Sequence, residues 1–187
     1  MANLIYTAIT SLDGYVADES GNFEWAAPNM EVHQYVNDQA RSIGTYLYGR
    51  QMYETLRVWE TWDTSEEPAA IGDYAAIWRA AEKVVFSSTL TPADIDTDRT
   101  RLESSFDPDM IRSMKDSVAE DVSIGGPTLA AHALRAGLVD HLHLFLNPIV
   151  VGGGTPALPA NLRLDVELAD EHRFGNGVIH LHYAVRS

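Results

Sequence analysis

The chain has 187 residues, 45% of them apolar, which suits one domain with a sizeable core and excludes a disordered polymer. Its 27 acidic and 13 basic residues give a formal charge of −14, only Lys83 and Lys115 are lysines, and no basic stripe occurs, so nucleic acid is excluded as an expected partner. Disulfides, thiolate metal sites and cysteine nucleophiles are excluded by the absence of cysteine, no apolar run approaches the ~20 residues of a membrane span, and Met1 opens no basic, apolar leader; the expectation is a cytoplasmic protein without a membrane partner.

Asn3–Thr10 is apolar and β-branched and reads as a buried strand. Ser11-Leu-Asp-Gly14 breaks it, and the polar stretch to Pro28 still carries Tyr15, Val16, Phe23 and Trp25. Such a loop is either pinned to the core or closes over a site. Met30–Ile43 reads as a helix, with Val32, Tyr35, Val36, Ala40 and Ile43 at helical spacing. Thr45–Tyr48 is a strand ending at Gly49, followed by a helix over Arg50–Val58, an acidic loop over Thr61–Pro68 and a helix over Ile71–Ala81. Lys83–Phe86 is a short strand ending in Ser87-Ser88-Thr89, and Pro92–Arg101 shows no defined pattern. Pro108–Ala119 is a helix, Val122–Ile124 a strand, and Thr128–Ala136 a helix with Gly137 as its C-terminal cap.

From Val139 the pattern changes. His141–Leu146 alternates, Pro148 and Gly152-Gly-Gly154 interrupt as a turn between strands, and Leu162–Phe174 and Val178–Val185 alternate around the hairpin signal Gly175-Asn-Gly177. Strand–helix alternation followed by strands alone implies an α/β fold: a mixed, mostly parallel sheet with helices on both faces and an antiparallel C-terminal hairpin, in one domain over residues 1–187.

Two strand-to-helix junctions carry chemistry. At Gly125-Gly126 a glycine pair opens an amphipathic helix, so another molecule can approach the backbone closely and meet exposed N–H groups. At Gly49 a second helix opens with Arg50 in its first turn, where a cation opposes the helix dipole. A bound phosphate would reverse that balance; otherwise Arg50 is a solvated surface residue. His141 with His143, and His180 with His182, share strand faces and could meet around a metal if their strands were neighbours. No carboxylate stands at a telling spacing, and no metal is expected. Asp13, Glu31 and Tyr35 are candidate proton sources, although Asp13 also suits an Asx turn and Glu31 the first turn of its helix. Trp25 could stack on a planar ring or anchor its loop.

In order, Ser11-Leu-Asp-Gly14, Gly49-Arg-Gln-Met-Tyr-Glu54, Phe86-Ser-Ser88, Ile124-Gly-Gly-Pro-Thr-Leu129 and Val139-Asp-His-Leu-His-Leu144 with Gly152-Gly-Gly154 resemble the dihydrofolate reductase superfamily. The closer resemblance is to its riboflavin-biosynthesis branch, the RibD C-terminal type, over nearly the whole chain. The resemblance implies a three-layer αβα fold with NADPH across the carboxyl ends of the central strands. It would place Gly49, Arg50, Met52 and Tyr53 at an adenosine-side phosphate, and Ser87 and Ser88 beside the adenine ribose or its 2′-phosphate. Gly125, Gly126, Pro127, Thr128 and Leu129 would hold the pyrophosphate. Leu12 and Gly14 would belong to a loop, Ser11–Trp25, that covers the nicotinamide, with Asp13 and Glu31 as catalytic carboxyls and Tyr6, Trp25 and Tyr35 toward the substrate. Met52 stands where the superfamily usually has threonine, and the His-x-Glu and Cys-x-x-Cys of the associated deaminase are absent. The implied activity is reduction of a small heterocycle, most like 5-amino-6-(5-phosphoribosylamino)uracil reductase; dihydrofolate reduction and non-catalytic ligand binding are the alternatives. The alternating C-terminal strands suit a homodimer paired across a two-fold axis.

Overall fold

In the computed structural model, which describes residues 1–186, the apolar opening segment forms strand β1 (Leu4–Ser11). The aromatic loop after it contains a short strand, β2 (Tyr15–Ala17), and a 3-10 turn at Glu24–Ala26. Helix α1 (Met30–Ala40) starts at Asn29, whose side chain accepts from the Val32 N–H. Then come β3 (Ile43–Gly49), α2 (Arg50–Leu56), α3 (Val58–Thr61), α4 (Ala69–Ala80), β4 (Glu82–Phe86) and β5 (Thr100–Glu103). The chain continues through α5 (Pro108–Ser117), β6 (Asp121–Gly125), α6 (Pro127–Arg135), β7 (His141–Asn147), β8 (Thr155–Pro156), β9 (Val166–Arg173) and β10 (Ile179–Val185).

Eight strands form one sheet in the order β5-β4-β3-β6-β1-β7-β10-β9. The first six run parallel, and β10 and β9 add an antiparallel hairpin beside β7. Alternation along the strands sends residues to two helical layers. Leu4, Tyr6, Ala8, Val122, Ile124 and Leu142 pack against α5 and α6. On the other face Tyr46, Tyr48 and Val85 meet Tyr53 of α2 and Trp78 of α4, while Ile9 and Phe145 meet Val32, Tyr35 and Val36 of α1. The expected three-layer αβα arrangement is therefore present.

Several boundaries differ from the sequence expectations. Ile43 does not extend α1 but opens β3 opposite Asp121, because its branched side chain and the following Gly44 favour extended chain over another helical turn. The helix expected over Arg50–Val58 is two short helices that re-aim at Arg57, which reaches Asp96 at 3.2 Å. The patternless Pro92–Arg101 region leads into edge strand β5, whose polar composition hid it. The glycine-rich segment after Pro148 supplies β8, which pairs with β2 through Tyr15↔Pro156 and Ala17↔Thr155. Gly137, at φ 63°, does close α6: its N–H bonds the Leu134 carbonyl and the Leu138 N–H bonds that of Ala133, a Schellman arrangement.

Candidate functional site

Strands β3 and β6 are neighbours, with Tyr48 opposite Gly125, so both glycine junctions stand side by side at the carboxyl rim of the sheet. A Cβ on Gly125 would lie 3.1 Å from the Tyr48 ring and 3.3 Å from Met52 Cγ, and one on Gly49 would lie 3.9 Å from Leu129 Cβ. The two corners touch. Gly126 has φ 89°, a conformation that side-chain-bearing residues rarely adopt, and it aims the first turn of α6 outward. Pro127 has no N–H, so the first donors of that helix belong to Thr128 and Leu129. Neither α2 nor α6 has a capping side chain or an acid in its first turn, which leaves a donor set suited to an anion.

Arg50 stands half-exposed beside this rim, with only a loose 3.8 Å approach to Glu54 Oε1. Ser87 Oγ accepts from the Thr89 and Leu90 N–H groups at 3.2 and 3.1 Å, holding the turn after β4, and Ser88 is exposed next to it. Tyr53 is not brought to the corner. It is fully buried, and its hydroxyl lies 3.2 Å from Asp96 Oδ1 and 3.1 Å from Thr97 Oγ1, tying α2 to the segment before β5.

The second half of the rim lies at β1 and β7. Although β1 is an interior strand, Ile5, Thr7 and Ile9 are only half-buried on the α1 side, and so is Ser123 of β6. They form a half-buried strip on the α1 side, the candidate cleft, that runs from Ile9 and Thr7 of β1 to Ser123 of β6, two residues before Gly125. Sequence reading missed Thr7, Ile9 and Ser123; the available signal was that they are the alternate positions of strands whose other face is wholly core. Tyr6 points the opposite way: it is 1% exposed, its hydroxyl donates to the Ala157 carbonyl at 2.8 Å, and burial pushes the phenol well above its ordinary range. The structure therefore does not bring Tyr6 to the cleft.

The loop that follows β1 is fastened rather than free. The Leu12 N–H donates to Ile149 O at 2.7 Å, although the Leu12 side chain is largely exposed, and Gly14, at φ 88°, accepts from the Ala157 N–H at 2.9 Å. Asp13 Oδ2 accepts from Gly152 N at 2.8 Å and Oδ1 from Val151 N at 3.2 Å. The Ser11 hydroxyl, then these amides, hold its carboxyl below the usual carboxylate range, so Asp13 is an anchored anion at neutral pH. Trp25 is half-buried and donates within its own turn to Asn22 O at 3.2 Å.

Glu31, exposed at the start of α1, accepts from Gly175 N at 3.1 Å and fastens the hairpin turn. Tyr35 faces the hairpin: its hydroxyl lies 3.2 Å from His180 Nδ1 and its ring stacks on His172 at 5.1 Å. The four strand histidines do meet, but as pairs bonded to each other, His143 Nδ1 to His180 Nε2 and His141 Nδ1 to His182 Nε2, both at 3.0 Å. Burial, then neighbouring imidazoles, lowers His143 to about 3 and His180 to about 4, so both rings are neutral. Among the described residues no group of three or more His, Cys, Asp or Glu side chains could hold a metal ion.

Two cavities accompany these features. One of about 410 Å³ opens near Glu82, Arg99 and Met114, at the amino ends of β3 to β5 and away from the glycine corners. Ligands of open α/β sheets bind at the carboxyl ends, so it is not the candidate site. The other, about 290 Å³, lies beneath the Asp13–Tyr15 turn on the α5/α6 face, and Thr10 in its lining has a buried, unpartnered Oγ1.

Comparison with known proteins follows the same lines. The family model described as RibD C-terminal domain matches residues 2–180. The uncharacterized protein YyaP of Bacillus subtilis (strain 168) is 24% identical over 185 residues, covering 96% of this chain and 93% of that protein. A crystal structure from Shewanella sp. PV-4, named for riboflavin biosynthesis, superposes with TM-score 0.75 at 21% identity and full coverage of both chains. A pyrimidine reductase-like protein of Corynebacterium diphtheriae gives TM-score 0.70 at 16% identity, covering 100% of this chain and 92% of that one. The deaminase/5-amino-6-(5-phosphoribosylamino)uracil reductase of Thermotoga maritima gives 0.69 at 13% identity, and this chain, 99% covered, spans 57% of its length.

Proposed function

The chain belongs to the RibD C-terminal domain family, and on that footing we propose that it is an NADPH-dependent reductase of a small heterocyclic substrate. The observation that carries the reading is the contact between the two glycine corners, because a dinucleotide needs adjacent donor clusters at one sheet rim. The residues present fit such a cofactor: uncapped amides of α6 at Thr128 and Leu129, a backbone bare of Cβ at Gly125 and Gly126, and the Arg50 guanidinium. When bound, NADPH supplies a hydride. Arg50 favours the 2′-phosphorylated cofactor over NADH by charge-assisted bonding. Thr7, Ile9 and Ser123 floor the cleft in which the accepting ring lies, and the Ser11–Trp25 loop excludes water from it. Asp13 holds that loop closed rather than donating a proton, which leaves Glu31 as the carboxyl to test for that role.

The riboflavin-pathway pyrimidine is the first ring to assay, both as its phosphoribosyl ester and as the free nucleoside, with dihydrofolate as the second substrate. NADPH titration, followed by quenching of the four tryptophans, tests the reading directly. Saturable binding supports it, and no binding leaves only a non-catalytic protein of this fold. A homodimer is part of the proposal. Strand β9 is an edge strand exposed on both faces, and unpaired edge amides invite a second copy across a two-fold axis. Light scattering at the monomer mass of 20.6 kDa would refute this.

A further inference from the structure

We propose that the substrate of this reductase carries no phosphate: the second half of the rim admits a neutral or cationic heterocycle and rejects a phosphate ester. The inference rests on the reading that the substrate lies over Thr7, Ile9 and Ser123. A phosphate is held in proteins by cations or by free backbone amides, and at this end of the molecule both are already engaged.

The amides are closed by the chain's own acceptors. Asn29 takes the Val32 N–H at the start of α1, the one long helix that opens beside the cleft, and Glu31 adds a negative charge to the same first turn. Glu31 also takes the Gly175 N–H of the hairpin turn. Asp13 takes the Val151 and Gly152 N–H groups of the glycine-rich segment. These four amides thus already have a carboxylate or a side-chain oxygen as acceptor, and a phosphate beside Asp13 and Glu31 would face repulsion as well.

Cations are equally scarce there. Of the 13 in the chain, Arg50 stands at the glycine corner on the cofactor side, and Arg57 is paired with Asp96. Arg173 follows His172, which stacks on Tyr35, so strand alternation turns Arg173 to the opposite face. The other ten contact carboxylates or carbonyls of their own surroundings, from Arg41 with Asp73 to Lys115 with Asp140, and none of these contacts involves Thr7, Ile9 or Ser123. The field of a chain at −14 already opposes an anion, and none of these contacts places a cation beside the cleft to offset it.

The test uses NADPH-loaded protein and two ring systems, a pyrimidine nucleoside such as 5-amino-6-ribosylaminouracil and a reduced pterin, each free and as its phosphate ester. Binding is read by calorimetry and turnover by NADPH oxidation. The free forms should bind or react at least about tenfold better than their esters, and raising the salt should narrow that gap while weakening NADPH, since screening relieves repulsion and attraction alike. Replacing both charges, Asp13→Asn with Glu31→Gln, should narrow the gap as well. An ester that binds as well as its free form, a gap indifferent to both salt and the double substitution, or a panel in which no free form binds would overturn the inference while leaving NADPH binding intact. A protein that takes no NADPH removes the underlying reading, and the inference with it.

Discussion

Where β3 and β6 end, helix amides stand open and a guanidinium occupies a first turn; where β1 and β7 end, amides of the same kind are already bonded to Asp13, Glu31 and Asn29. Both places lie on one rim and are built from similar loops. The difference teaches that the fold supplies donors generously and that a few carboxylates decide which of them remain for a ligand. On the proposed reading, a dinucleotide with several negative charges would be directed to one half by what the other half refuses.

Acid should break the comparison most strongly, because the hairpin beside β7 is held by neutral imidazoles. His143 and His180 titrate in the native state near 3 and 4, below the ~6.5 of an unfolded histidine, so the unfolded chain binds more protons. Their contribution to stability is complete above about pH 6.5 and is lost as pH falls from there toward 4, by about 2 kcal/mol for each ring by pH 5. Thermal midpoints measured across pH 7.5 to 4.5 should fall accordingly, and His180→Gln should flatten the slope; an unchanged slope counts against the neutral array.

Where β3 and β6 end, Gly126→Val forces a branched residue into φ 89°, at a cost on the order of 2 kcal/mol. It should also remove measurable NADPH binding. Retained affinity would show that this corner is not used. Arg50→Ala should weaken NADPH about tenfold while leaving NADH unchanged, as expected for one solvent-exposed charge–phosphate contact; equal weakening of both cofactors would move Arg50 away from the 2′-phosphate. The smallest effect is expected from Glu31→Gln, which keeps the bond to Gly175 N and removes only charge. Its stability should change by less than about 1 kcal/mol, with any loss of turnover reporting the proton-donor role.

Much of this was legible in the sequence because glycine and periodicity are local signals. Gly49 and Gly125-Gly126 announced both corners, and alternation around Gly175-Asn-Gly177 announced the hairpin. What was not legible depended on which face a strand residue takes after packing. Tyr6 looks like a pocket residue but lies on the core side, whereas Thr7 and Ile9, its neighbours, floor the cleft. Tyr53 sits in the Gly49 motif, yet helical geometry turns its hydroxyl to Asp96 and Thr97. Partners of Asp13 and Glu31 were invisible for another reason: they lie 138 and more residues away along the chain.

The fastening of the Ser11–Ala17 segment to residues 149–157 has a kinetic corollary. Backbone bonds at Leu12 and Gly14, the Asp13 carboxylate and the β2–β8 ladder join the two stretches at successive points. Neither can swing away alone, so moving this segment means unzipping a double-stranded flap in one cooperative event. Amide hydrogens in both stretches should then exchange at a common rate that slows together once a cofactor is seated.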